Sequence, residues 1–200
     1  MEATSQTGGR MSKHDIPWWN PQVGPNEYAN LHDVLDSNYL NDGDVTTRFE
    51  REIATLVGAK HAVGVTSGTS ALFLSLAALG IGQGDEVIVP DITFIATANA
   101  VTLTGAVPVL VDVDPATLNI SPEAFEKAIN GRTRAVMPVH VSGRSADLSS
   151  IAMIAENHGI AVVEDAAEAL SSFHDGQALG TIGIAAVSYT HLTLPTSDLV

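Results

Sequence analysis

From residue 86 to residue 164, short runs rich in valine and isoleucine recur, and segments with helical spacing separate them. The runs cover residues 86–89, 107–113, 135–139 and 160–164, and they mostly lack polar alternation. Strands read this way when both faces are covered, because neither face has to meet water. The intervening segments 93–103, 122–129 and 148–157 are predicted helices. A strand over 61–66 and a helix over 68–79 extend the pattern upstream. Repeated strand–helix units imply an α/β fold, a three-layer α/β/α sandwich around a mostly parallel sheet. A helical N-terminal arm precedes it. Its first helix runs from Pro25 to about Ser37, with Tyr28, Leu31, Val34 and Leu35 on one face. After a turn-rich loop over 38–44, a second helix carries Val45, Phe49, Ile53, Leu56 and Val57 and ends at Gly58.

Composition narrows the function. The chain has 200 residues and a formal charge of −14, from 9 Lys and Arg against 23 Asp and Glu. That balance argues against a nucleic-acid backbone or an anionic membrane as partner. It leaves a small phosphorylated ligand open, because backbone N–H groups bind phosphate without net positive charge. There are no cysteines, which removes disulfides, thiolate metal sites and cysteine nucleophiles. No apolar window has signal-peptide or membrane-spanning length, and a cytoplasmic location is expected. No metal site is expected. Residues 1–15 are polar and read as a flexible tail.

Ligands of open α/β sheets bind beyond the carboxyl ends of the strands, so the residues there carry the functional signal. Ser67, Gly68, Thr69 and Ser70 follow the first predicted strand and open a helix. They suit a phosphate cradle, or they simply cap the helix. Phe94 follows the next strand, either as a core residue or as a plate for an aromatic ring. Glu164 and Asp165 end an apolar strand, where buried acids are costly unless paired or functional. Asp165 suits a partner for a protonated pyridine nitrogen, or a helix N-terminal acid. His140 lies at the same edge, as a pocket residue or a hydrogen-bonded structural one. Cradle, plate and acid together suit a flat, phosphorylated, pyridine-type cofactor.

The segments NYLNDGDVTTRFE, VTSGTSAL, GDEVIVPDITFIATANA, GAVPVLVDVD, RAVMPVHVSG and VVEDAAEAL, in this order and spacing, resemble the DegT/StrS-type sugar aminotransferases. These are fold-type I enzymes dependent on pyridoxal 5'-phosphate (PLP), and the resemblance spans about residues 16–186. It implies that Gly68, Thr69 and Ser70 hold the cofactor phosphate, that Phe94 stacks on the ring, and that Asp165 pairs with the pyridine nitrogen. Glu168 falls where the family often has Gln or His near the ring hydroxyl, and residues 39–43 resemble a loop shaping the substrate pocket. The implied reaction moves an amino group from an amino-acid donor, typically glutamate, to a keto group of a nucleotide-linked sugar. A homodimer is the implied assembly.

The resemblance also implies a Schiff-base lysine after the EDAAE motif. The chain's three lysines, Lys13, Lys60 and Lys127, all precede it. The chain is therefore expected to be an inactive fragment holding the arm and an incomplete large domain over 16–186. Residues 187–200 resemble the in-frame translation of a transposase-type sequencing adapter (VSYTHLTLPT) followed by read-through. Two other readings fit the missing lysine. One is a lysine-less PLP-dependent sugar dehydratase using His191; the other is a non-catalytic PLP-binding regulatory protein.

Overall fold

The computed structural model describes residues 23–41 and 43–188. Residues 1–22 with the expected tail, Asp42, and residues 189–200, with His191 and most of the adapter-like stretch, lie outside the described residues. The arm consists of α1 (Pro25–Asp36) and α2 (Asp44–Val57). Gly58 caps α2 in the left-handed conformation (φ 74°), as its position after the last apolar residue predicts. Neither helix has a buried residue.

The α/β body runs α3 (Gly68–Ala78), β1 (Glu86–Pro90), α4 (Ala96–Leu103), β2 (Val107–Val111), α5 (Pro122–Ala128), β3 (Thr133–Val136), α6 (Leu148–His158) and β4 (Ala161–Asp165). A hairpin of β5 (Phe173–His174) and β6 (Gln177–Ala178) follows, then β7 (Ala185–Val187). The main sheet has five strands in the order β2-β1-β3-β4-β7, and every pairing in it is parallel. Strand alternation divides the core in two. Val87 and Val89 pack with Leu72, Leu76, Val101 and Met137 beneath α3 and α4. Ile88 points the other way, into Phe125, Val136, Ile151 and Ile154 beneath α5 and α6. These are the three layers expected from the apolar runs.

Three differences from the sequence-based reading have physical causes. Residues 61–66 form no strand among the described residues. A strand needs a neighbour to complete its ladder, and the free flank of β4 is taken by β7. Val63 is consequently 77% exposed, and a cavity of about 260 Å³ is lined by both residues 61–68 and the β7 residues Ala186 and Val187. Helix α4 starts at Ala96 rather than at residue 93, because the Thr93 hydroxyl bonds within its own turn, to Phe94 O (3.3 Å) and to Thr97 Oγ1 (2.7 Å). Strand β3 stops at Val136, and Val139 keeps only an isolated bridge to Asp165. Pro138 lies between them and has no N–H for the ladder.

Candidate functional site

All strands of the main sheet are parallel, so their carboxyl ends share one edge. Helix α3 feeds β1 through a short turn and runs back along the sheet, so its N-terminus reaches that same edge. Topology alone therefore gathers the start of α3, the turn after β1 and the end of β4.

At the start of α3, capping and anion binding turn out to be compatible. Ser67 Oγ accepts the N–H of Ser70 (3.1 Å) and contacts Ser70 Oγ (2.9 Å), so the cap occupies the third amide of the helix. The N–H groups of Gly68 and Thr69 find no acceptor among the described residues. A helix N-terminus with two free N–H groups and the positive end of the dipole suits an anion. Gly68 and Ser67 line the 260 Å³ cavity together with Ala166, the residue after Asp165.

Phe94 is 76% exposed in the turn before α4, so it is not a core phenylalanine. Asp165 is buried at the end of β4. Its Oδ2 accepts the Thr97 hydroxyl (2.8 Å), and its Oδ1 accepts the Ala167 N–H at 3.3 Å. Burial pushes the Asp165 carboxyl above its ordinary value, and Glu168 adds to this. The bonds from Thr97 and Ala167 and the nearby His140 oppose that rise.

Glu164 points to the opposite face of β4 and is fully buried. Its Oε1 accepts the N–H groups of Ile182 (2.7 Å) and Gly183 (2.6 Å). Its Oε2 accepts those of Gly180 (2.8 Å) and of His140 Nε2 (3.1 Å). His140 Nδ1 in turn accepts the Ala146 N–H (3.2 Å), which leaves Nε2 as the protonated nitrogen. Burial alone would raise the Glu164 carboxyl, but His140 and the three backbone donors outweigh it and hold it below the ordinary glutamate value. The turn over 180–183 is thereby pinned to β4. A Cβ at Gly183 would lie 2.6 Å from Val162 O, so glycine is needed for this approach. His140 is thus the hydrogen-bonded structural residue of the two alternatives.

Glu168 is exposed, and its Oε2 accepts the N–H of Ser142 (2.6 Å), a residue in the left-handed region (φ 53°). In this structure its carboxylate is engaged by a loop. Tyr39, Asn41 and Gly43 border a cleft between α1 and α2, lined also by Asn30, Ser37 and Arg48.

A family model described as the DegT/DnrJ/EryC1/StrS aminotransferase family matches residues 21–193. The chain belongs to this family. SpsC, a spore coat polysaccharide biosynthesis protein of Bacillus subtilis (strain 168), is 47% identical over 170 residues, covering 85% of this chain and 44% of the relative. Among solved structures, DesV of S. venezuelae, in complex with a ketimine intermediate, is 45% identical with a TM-score of 0.76. That match covers 77% of this chain and 42% of DesV. Spr1654 from Streptococcus pneumoniae, described as a sugar aminotransferase, matches in its apo form with a TM-score of 0.85 at 30% identity, over 89% of this chain and 49% of that one. The chain thus spans less than half the length of these relatives. The family is PLP-dependent, and Spr1654 is also solved in forms carrying PLP and its amino counterpart, pyridoxamine 5'-phosphate (PMP). Among the described residues, no helix is long and apolar enough to cross a membrane.

Sequence reasoning passed over Thr97 and the partners of Glu164. The signal for Thr97 was its spacing of one helical turn from Thr93. The backbone donors to Glu164 come from a turn with no recognisable motif.

Proposed function

We propose that this edge of the sheet holds the phosphate, ring and pyridine nitrogen of PLP. The corresponding whole protein would transfer an amino group from an amino-acid donor, glutamate being the natural choice, to a keto group of a nucleotide-linked sugar. Gly68, Thr69 and Ser70 serve the phosphate, Phe94 the ring face and Asp165 the nitrogen. Glu168 stands near the ring hydroxyl only if its bond to Ser142 yields. When bound, the cofactor supplies an electron sink for amino transfer. The observation that carries the reading is the buried Asp165 carboxylate at a strand end whose neighbours are an open helix N-terminus and an exposed aromatic ring. Each supplies what one part of a phosphorylated pyridine requires, so the donor set fits the group.

The Schiff-base lysine is not among these residues. Lys60 precedes residues 61–66 and lines a cleft with Thr181 and Ala185 at the opposite end of β7, and Lys127 is exposed on α5. Lys13 lies outside the described residues. The 200-residue chain is accordingly expected to bind without turnover. The whole protein is read as a cytoplasmic homodimer.

Calorimetric titration of the chain with PMP, and with pyridoxamine lacking the phosphate, tests the reading. PMP should bind, and pyridoxamine should bind about tenfold more weakly because the α3 anion site is lost to it. Equal affinity for the two, or no PMP binding, would count against the assignment.

A further inference from the structure

Three hydroxyl side chains in the helices of this protein satisfy themselves within their own helix. Thr55, Ser75 and Thr102 donate to the carbonyl one turn back, at Arg51 (2.8 Å), Ala71 (2.9 Å) and Ala98 (3.1 Å). That is the ordinary way for a helical hydroxyl to satisfy itself. Thr97 departs from it. Its side chain is fully buried, yet it reaches across 68 residues of sequence to Asp165 Oδ2 (2.8 Å). A threonine hydroxyl has one proton, and an ionised carboxylate can only accept, so that proton goes to Asp165. The Thr97 oxygen is then left to accept from Thr93 Oγ1 at 2.7 Å, a contact much shorter than the alternative one from the Thr93 hydroxyl to Phe94 O at 3.3 Å. The result is a directed chain from Thr93 through Thr97 to Asp165, and each bond polarises the next.

We propose that Thr97 is a positioning residue, which fixes Asp165 through Oδ2 and leaves Oδ1 as the oxygen presented to the cofactor nitrogen, with Thr93 supporting it from behind. This rests on the reading of Asp165 given above. Among the described residues, Oδ1 has only the long contact from Ala167, so it has acceptor capacity in reserve. Burial works against the charged carboxylate, and the Thr97 bond favours it. His140 and Glu168 are the titratable groups beside Asp165, with opposite effects on it, and their hydrogen bonds go to Glu164, Ala146 and Ser142 rather than to Thr97 or Thr93. Glu164 adjoins it in sequence but faces the other side of β4.

The test uses the 200-residue chain with Thr97→Val, Thr97→Ser and Thr93→Val, and two readouts. The first is the titration midpoint of the Asp165 carboxyl carbon by NMR, without ligand. The second is the ring nitrogen shift of ¹⁵N-labelled PMP, which reports protonation of the pyridine. Thr97→Val should move the Asp165 midpoint up by about one pH unit and reduce the protonated fraction of bound PMP. Thr97→Ser should restore both, and Thr93→Val should shift the midpoint the same way by less. An unchanged midpoint in Thr97→Val, or equal effects of valine and serine, would overturn the proposal. If Thr97→Val does not fold, an unmoved midpoint in Thr93→Val overturns it instead. Should the wild-type chain fail to bind PMP while the midpoints shift as stated, the hold on Asp165 stands and the cofactor reading falls.

Discussion

Glu164→Ala is expected to destabilise the chain by about 3–5 kcal/mol, the range for removing one member of a buried, fully hydrogen-bonded charged group. The variant leaves the N–H groups of Gly180, Ile182 and Gly183 and the Nε2–H of His140 without their shared acceptor, around a carboxylate that is itself fully buried. Glu164→Gln should cost less but not little, about 1–3 kcal/mol. Its amide NH₂ faces either two backbone donors or one donor and the His140 N–H. His140 cannot switch tautomer to help, because its Nδ1 already accepts from Ala146. Urea unfolding of the three forms at neutral pH measures this. A midpoint for Glu164→Ala within error of the parent would mean that the 180–183 turn does not depend on the carboxylate. The pH dependence has a definite sign. The folded form holds Glu164 below the ordinary glutamate value. Its contribution is therefore complete above that ordinary value and declines as pH falls through the lowered one. The gap between parent and Glu164→Ala should narrow in acid.

Asp165→Asn is expected to act in the opposite direction on stability and to have its large effect on the ligand. Burial raises the Asp165 carboxyl, so its charged form costs the fold stability at pH values above the raised one, and that cost fades in acid. Asparagine is uncharged and keeps an oxygen for the Thr97 hydroxyl, so Asp165→Asn should melt higher than the parent at neutral pH. It should nevertheless weaken PMP by about tenfold to a hundredfold, since a charge-assisted bond to the ring nitrogen is lost in a buried setting. The nitrogen shift of bound PMP should move to the unprotonated position. A gain in stability with unchanged PMP affinity and unchanged ring protonation would show that Asp165 does not meet the nitrogen. The two acids adjoin in the EDAAE motif, yet one holds the fold together while the other weakens it, as a binding residue commonly does.

The layered architecture could be read from the chain because apolar valine and isoleucine runs have one cheap solution, a sheet covered on both faces. The run over 135–139 shows where such reading stops. It is apolar throughout, but Pro138 cuts the ladder, a point visible in the sequence and passed over. The run over 61–66 is a harder case. Its residues suit a strand, and whether they form one depends on a neighbour that local pattern does not reveal. The 173–178 hairpin was legible in principle. Asp175 and Gly176 (φ 48° and 84°) form an Asp-Gly turn of the kind that connects tight hairpins. At the candidate site, Phe94 and Asp165 could be singled out because strand-end position and residue chemistry coincide there, and Gly68 because a glycine between hydroxyl residues opens a helix. Thr97 could not, since its partner lies 68 residues away. Glu164 drew notice only as a costly acid, and its four donors depend on tertiary structure.

The most direct test of a single PLP-type site at this edge is an amide shift map of the chain during titration with PMP. The expected result is saturable perturbation of Gly68, Thr69 and Ala166 together, accompanied by upfield ring-current shifts on the cofactor from Phe94. Perturbations confined to other surfaces, such as the cleft of Lys60 and Thr181 or the one between α1 and α2, would contradict it.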